Sequence, residues 1–199
     1  MNITKEGELF IINEETGGKA YYERVYKNSF IWPEGESGAT AMVGIDIGYY
    51  TSEEIDAIFK PLTSKDELAL IQNGRGKKGI EAKKYVPILQ DIKFSWEEAI
   101  EVFETFTLPK FSKLTERVFP GVDNLHTNAQ TAILSLVFNR GTRLTGESRR
   151  EMAEIRKLIP AKNYKAIANQ IKLMKRLWAK GNGLLGRRDR EAALVMSSV

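Results

Sequence analysis

The spacing of apolar residues changes character along the chain. Leu9, Phe10, Ile11 and Ile12 form an apolar run that Gly17-Gly18 follows. Glycine takes left-handed backbone angles without a side-chain clash, so a short helix stopping there is predicted. From Ile31 to Tyr50 the pattern shifts to short apolar pieces punctuated by Gly38, Gly44 and Gly48. That reads as β structure with tight turns. Beyond Tyr50 the helical period returns. Thr51-Ser-Glu-Glu54 has capping-box spacing ahead of the stripe Ile55, Ile58 and Phe59, and Pro61 stops it. Ser64 caps a second helix through Leu68, Leu70 and Ile71. The run 73–79, rich in glycine and lysine, lacks both the P-loop ending and the dinucleotide-binding spacing, and reads as a flexible, solvated basic loop.

Ser95-Trp-Glu-Glu98 is another capping box, followed at helical spacing by Ala99, Val102, Phe103 and Phe106. Pro109 has no N–H and clashes with the preceding turn, so a kink or break is expected there before Phe111, Leu114 and Val118 resume the stripe. Thr127-Asn-Ala-Gln130 is read as the cap of the most apolar helix. Ala129, Ala132, Ile133, Leu134, Leu136, Val137 and Phe138 leave it little polar face, which predicts a central, buried helix ending at Asn139-Arg140-Gly141. Ile155, Leu158 and Ile159 form a further stripe before Pro160, and Tyr164, Ile167, Ala168, Ile171, Met174 and Trp178 another. The fold class is α+β, mainly helical.

Composition narrows the chemistry. The 199 residues suit one domain, and a hydrophobic content of 42% supports a real core. A net charge of +4 fits an anionic polymer as partner. Between Lys172 and Arg190 lie seven basic residues and one acidic residue, read as a solvated helix face. There are no cysteines, so disulfides, thiolate metal sites and cysteine nucleophiles are excluded. The single histidine, His126, stands beside Thr127 at a helix start and reads as structural. No stretch reaches the roughly 20 apolar residues that span a bilayer. No secretory signal pattern opens the sequence, so synthesis in the cytoplasm is expected.

Paired carboxylates remain as catalytic equipment. Glu14 and Glu15 fall in the last turn of the first helix, against the negative end of its dipole. A carboxyl there that also rests on apolar neighbours stays protonated more readily, as a general acid must. As a bare pair, both also fit solvated surface charges. Asp46 fits an Asx turn before Gly48, and Thr40 an ordinary strand threonine.

Several motifs together resemble a known family. They are Glu-Thr-Gly-Gly-Lys-Ala-Tyr-Tyr-Glu (15–23), Trp-Pro-Glu-Gly (32–35), Ser-Gly-Ala-Thr (37–40) and Gly-Ile-Asp-Ile-Gly-Tyr (44–49). Leu-Val-Phe-Asn-Arg-Gly (136–141), Ser-Arg-Arg-Glu-Met (148–152), Arg-Leu-Trp (176–178) and Gly-Leu-Leu-Gly-Arg-Arg-Asp-Arg-Glu-Ala (183–192) follow in the same order. The chain resembles the lysozyme-like muramidases, in the pesticin-like and prophage endolysin branch of the phage-type lysozymes.

The resemblance implies a two-lobed catalytic domain over 1–199. A small β-containing lobe would span about 15–60 and a helical lobe about 61–199, with a glycan cleft between them. It implies hydrolysis of the N-acetylmuramic acid–N-acetylglucosamine bond of peptidoglycan, as an endolysin or bacteriolytic toxin. Glu15 would be the general acid, with Glu14 as competitor; Glu14 and Glu23 have the carboxylate spacing of the classical phage-type enzymes. Asp46 would be the base that orients water, Thr40 its helper, and Asn139 a hydrogen-bonding partner of the sugar. Inversion at the anomeric carbon is implied, with carboxyl groups roughly 6.5–9.5 Å apart. Met42 and Ile45 depart from the family, which has glycine at the first position and Tyr or His at the second, and this points toward weakened catalysis. A wall-glycan binder without turnover and a basic nucleic-acid-binding protein are the alternative classes. The expected partner is the glycan strand, with delivery by a holin or secretion system. No cofactor, metal, nucleic acid or stable membrane insertion is expected, and the chain is read as a monomer acting on the cell wall.

Overall fold

The computed structural model describes residues 1–199. It is mainly helical, with one small antiparallel sheet. Two compact units account for the chain: Glu15–Leu108, and Met1–Glu14 together with Pro109–Val199.

The unit 15–108 begins in the last residues of α1 (Lys5–Thr16), which Gly17 (φ 70°) and Gly18 (φ 87°) stop as expected. The short α2 (Lys19–Tyr21) runs into a π-helical turn, Tyr22–Tyr26. The sheet is smaller than the glycine-punctuated pattern suggests. It consists of β1 (Thr40–Ala41) and β2 (Ile45–Asp46), paired Thr40 to Asp46 and Ala41 to Ile45, with one further bridge from Ile31 to Thr40. The reason is local: the N–H groups of Gly38 and Gly48 are taken by the Asp46 carboxylate rather than by a ladder.

Helices α3 (Ser52–Phe59), α4 (Lys65–Gly74) and α6 (Trp96–Val102) start on the capping boxes of Thr51, Ser64 and Ser95. Between α4 and α6 lie α5 (Gly79–Tyr85) and a 3-10 turn, Val86–Leu89. These helices belong to the same compact unit as the strands, so the unit runs to Leu108 rather than to about residue 60. Packing explains the difference. The buried rings of Phe30, Phe59 and Phe94 meet with centroids 5.4–5.8 Å apart and tie the pre-strand loop to the helices.

Pro109 does not break the chain. A π-helical turn, Phe103–Thr107, leads directly into α7 (Leu108–Val118). The wider hydrogen-bond ring of a π turn accommodates a residue that cannot donate its own bond.

The other unit is organised on α8 (Thr127–Arg140), buried from Ala129 through Val137. Its cap is His126 rather than Thr127: the His126 Nδ1 accepts from the Asn128 N–H at 3.2 Å, which gives the single histidine a structural task. Gln130, buried within α8, donates to the carbonyls of Asp123 and Leu125 and accepts from Asn2 N–H. The start of α1 lies against α8 closely enough that a Cβ on Gly7 would stand 2.6 Å from Thr131 Oγ1. Helices α9 (Arg150–Leu158), α10 (Tyr164–Leu173) and α11 (Gly183–Met196) complete the unit, α10 packing on both α9 and α11 and α11 on α8. Phe111 and Phe138 stack at 4.1 Å. No helix is long and apolar enough to cross a membrane.

Within this core lies a buried ionic lattice. Glu191 accepts from Ser135 Oγ at 2.6 Å, from Arg187 Nε at 3.1 Å and from Arg188 Nη2 at 2.9 Å. Arg187 and Arg188 are therefore buried rather than part of the solvated face that their charge suggests, whereas Lys172, Arg176, Lys180 and Arg190 are exposed, with Arg176 and Arg190 paired to Glu151 and Glu14 and Lys175 to Asp189. Removing the Glu191 carboxylate would leave two guanidinium groups buried without a counter-ion. Glu191→Ala is expected to lower the unfolding free energy by about 3–5 kcal/mol, read as a reduced urea midpoint at unchanged slope.

Candidate active site

The β1–β2 hairpin places the first two candidate residues. Thr40 and Asp46 are directly opposite in the antiparallel register, so both side chains leave the same face of the sheet. Thr40 spends its backbone bonds on Ile31, each at 2.8 Å. Its hydroxyl donates to the Gly38 carbonyl at 3.3 Å, which leaves its oxygen able to accept.

Asp46 is half-buried and closes the loop on both sides. Gly38 N–H donates to both of its oxygens at 3.0 Å, and Gly48 N–H to Oδ1 at 2.9 Å. The second of these is the Asx turn. The backbones approach so closely that only glycine fits: a Cβ on Gly38 would stand 2.3 Å from Asp46 Oδ1 and 2.6 Å from Gly48 N. Burial pushes the Asp46 carboxyl above its ordinary value, while the Gly38 and Gly48 N–H groups and the Lys78 ammonium pull it back. Asp46 and Glu54 in turn add to burial in pushing the neighbouring Tyr50 up to about 12.

The basic loop 73–79 is anchored, not free. Gly76 N–H donates to Ile47 O at 3.3 Å and Gly79 N–H to Ser37 O at 2.9 Å. Lys78 lies 3.6 Å over the Tyr49 ring, held by cation–π attraction on the side of the hairpin that carries Asp46's charge. Charge and glycine content alone gave no sign of this role for Lys78; the spacing of Gly76 and Gly79, which dock the loop, was the available signal.

Met42 adopts a left-handed conformation at φ 52° in the hairpin turn, beside Gly44 at φ 74°. A side chain there strains the backbone by roughly 1–3 kcal/mol. Met42 is fully buried, and burying a side chain of that size returns about 1.5–3 kcal/mol. Ile45 is likewise buried and packs rather than facing the candidate site.

Glu14 and Glu15 occupy the last turn of α1, which carries no basic residue. Their surroundings differ. Glu14 is held on both oxygens by Arg190, with Nη2 to Oε2 at 2.9 Å, and its backbone carbonyl accepts from Arg187. Both Glu14 oxygens are thus engaged by one guanidinium group. Glu15, half-buried in the other compact unit, projects its charge onto Tyr26, whose hydroxyl is pushed up by burial, by Tyr21 and by Glu15. Tyr26 is edge-on to Tyr21 and Tyr22, and Tyr22 meets Trp96 at 5.5 Å, so this carboxylate borders an aromatic cluster. Glu23 is exposed and lies 3.9 Å from Lys19.

Asn139, near the end of α8, uses its Oδ1 to accept from Arg188 Nη2 at 3.2 Å. Its amide nitrogen makes no bond within the chain and is free to donate to a ligand. Thr40 and Asp46 are thus brought together, Glu15 shares their compact unit, and Asn139 belongs to the other. No group of three His, Cys, Asp or Glu side chains is arranged to hold a metal ion. No protein-family model matches the chain, and comparison with curated proteins finds no match.

Two substitutions separate the structural task of Asp46 from a chemical one. Asp46→Ala strands the Gly38 and Gly48 donors and is expected to cost about 1–3 kcal/mol of stability. Asp46→Asn keeps an acceptor for both. Because burial raises the folded-state value of Asp46, its stabilising contribution is complete below the unfolded value and is lost as pH rises through the folded one. Asp46→Asn removes that loss, so its melting temperature at neutral pH should equal or exceed the parent's, with any catalysis abolished.

Proposed function

We propose that the chain is a lysozyme-like muramidase that cleaves the N-acetylmuramic acid–N-acetylglucosamine bond of peptidoglycan with Glu15 as general acid. The observation that carries this reading is the division of labour between adjacent glutamates. Arg190 occupies both oxygens of Glu14, whereas Glu15 lies at the negative end of α1 beside an aromatic cluster. The Thr40–Asp46 pair supplies a second carboxylate with a hydroxyl on the same face, suited to orienting a water for an inverting displacement. Asn139 keeps an amide donor for a sugar. Glycan strands are the proposed partner.

A catalytically weak wall-glycan binder is the second reading. It is favoured by the engagement of Asp46, whose oxygens already accept three contacts from Gly38 and Gly48 N–H. A nucleic-acid-binding face at the C-terminus draws little support, because Lys175, Arg176, Arg187, Arg188 and Arg190 are neutralised by carboxylates.

Purified peptidoglycan incubated with the protein should release disaccharide-peptides ending in reducing N-acetylmuramic acid, identified by mass analysis. Glu15→Gln should cut the rate by roughly 100- to 10,000-fold with the fold intact. Glu14→Gln should chiefly lower stability. Binding without fragments would favour the second reading, and neither binding nor cleavage would exclude both.

The pH profile tests Asp46 as the base. A base must be ionised, so activity should fall as pH drops through the raised Asp46 value, above the usual aspartate limb near about 3.9. Lys78→Met removes a charge that stabilises the carboxylate and should move this acidic limb to higher pH. Lys78→Arg should leave it in place.

A further inference from the structure

The connection between α8 and α9 gathers arginines that the chain does not neutralise. Most basic side chains near it are matched. Arg150 contacts Glu147 at 2.8 Å and Glu151 at 3.0 Å, Arg176 contacts Glu151 at 2.6 Å, and Arg188 contacts Glu191 at 2.8 Å. Arg140, Arg143 and Arg149 have no carboxylate partner. Arg140 donates to the Ser148 carbonyl and lies 5.2 Å over the Trp178 ring, while its buried Nε has no acceptor. Arg143 makes a single bond from Nε to Thr145 Oγ1 at 3.2 Å. Arg149 is half-buried, its guanidinium makes no hydrogen bond within the chain, and it holds the N-cap position of α9 with no side-chain cap.

Arg149 links the other two: Arg140 donates to the carbonyl of Ser148, the residue before it, and Arg143 Nη2 would stand 3.8 Å from a Cβ on Gly146, whose carbonyl accepts the Arg149 N–H. Burial, Arg149 and Arg188 push Arg140 down to about 10, with Glu151 opposing and Arg176 reinforcing. Burial and Arg143 push Arg149 down as well. Like charges gathered at an uncapped helix N-terminus are unfavourable when the site is empty, and an anion reverses the sign.

We propose that Arg140, Arg143 and Arg149 form a binding site for a phosphate group. A carboxylate brings one charge and two oxygens. A phosphate brings up to two charges and three or more acceptor oxygens, which suits three guanidinium forks and the first N–H groups of α9. The site is independent of Glu15, Thr40 and Asp46, so its test does not depend on muramidase activity.

Thermal unfolding and calorimetric titration with inorganic phosphate, at constant ionic strength set by chloride, provide the test. The parent should bind saturably and melt at higher temperature as phosphate is added. Arg149→Gln should lower the affinity by about tenfold, the loss expected when one charge-assisted contact of roughly 1.5 kcal/mol is removed. In phosphate-free buffer the same variant should melt no lower than the parent, because the Arg149 side chain has no intrachain bond to lose. A parallel titration with dimethyl phosphate separates the sources: equal affinity points to a phosphodiester polymer, and much weaker affinity to free or terminal phosphate. Absence of saturable phosphate binding, or parent-like affinity in both Arg149→Gln and Arg143→Gln, would overturn the proposal.

Discussion

The buried carboxylate of Glu191 is the interaction on which the helical unit depends. Two guanidinium groups and a hydroxyl converge on it, and each would be costly to bury alone. The consequence reaches along the arginines it orients. Arg187, fixed by Glu191, donates to the Ser135 carbonyl on α8 and reaches the Glu14 carbonyl at the end of α1. Arg188, fixed in the same way, holds Asn139. One acidic side chain on α11 therefore helps to position the last turn of α8 and the Glu14 carbonyl in the last turn of α1.

The hairpin solves a comparable problem with the opposite balance. Asp46 is paired mainly with backbone N–H groups, so nothing fully offsets its burial and its carboxyl rises. The loop holds its shape because glycine at 38 and 48 admits the carboxylate at hydrogen-bond distance. Met42, strained but buried, lies in the same turn. A group that closes a loop is also rigidly oriented, and rigidity is what a base acting on a bound water requires. The structural and chemical readings of Asp46 are compatible for that reason.

What the sequence revealed follows from range. The capping boxes at Thr51, Ser64 and Ser95 depend on residues three apart, and the buried character of α8 on its own composition, so both were legible. The cap of α8 was misplaced by one residue because an imidazole nitrogen replaces the usual oxygen at His126. The helical run continues past Pro109 through a π turn, and nothing local marks Phe103–Thr107 as a π turn. Arg187 and Arg188 looked solvated because distant partners engage them, Ser135 the first and Asn139 the second. The loop 73–79 looked free because its docking partners, Ile47 and Ser37, are distant in sequence. Of the candidate site, the residues could be named, but not the pairing of Glu14 with Arg190, which lies 176 positions away.

The helical unit is discontinuous in sequence: Met1–Glu14 belongs with Pro109–Val199, and the whole of Glu15–Leu108 intervenes. Synthesis is vectorial. At ~5–20 residues per second the ribosome takes on the order of 10 s to make the intervening segment. Throughout that interval Gly7 has no Thr131 to meet, and the Asn2 N–H has no Gln130 to accept it. The segment 15–108 emerges complete and can fold first, while the opening apolar stretch waits on the nascent chain. That stretch is the part of the molecule most exposed to chaperone capture during translation.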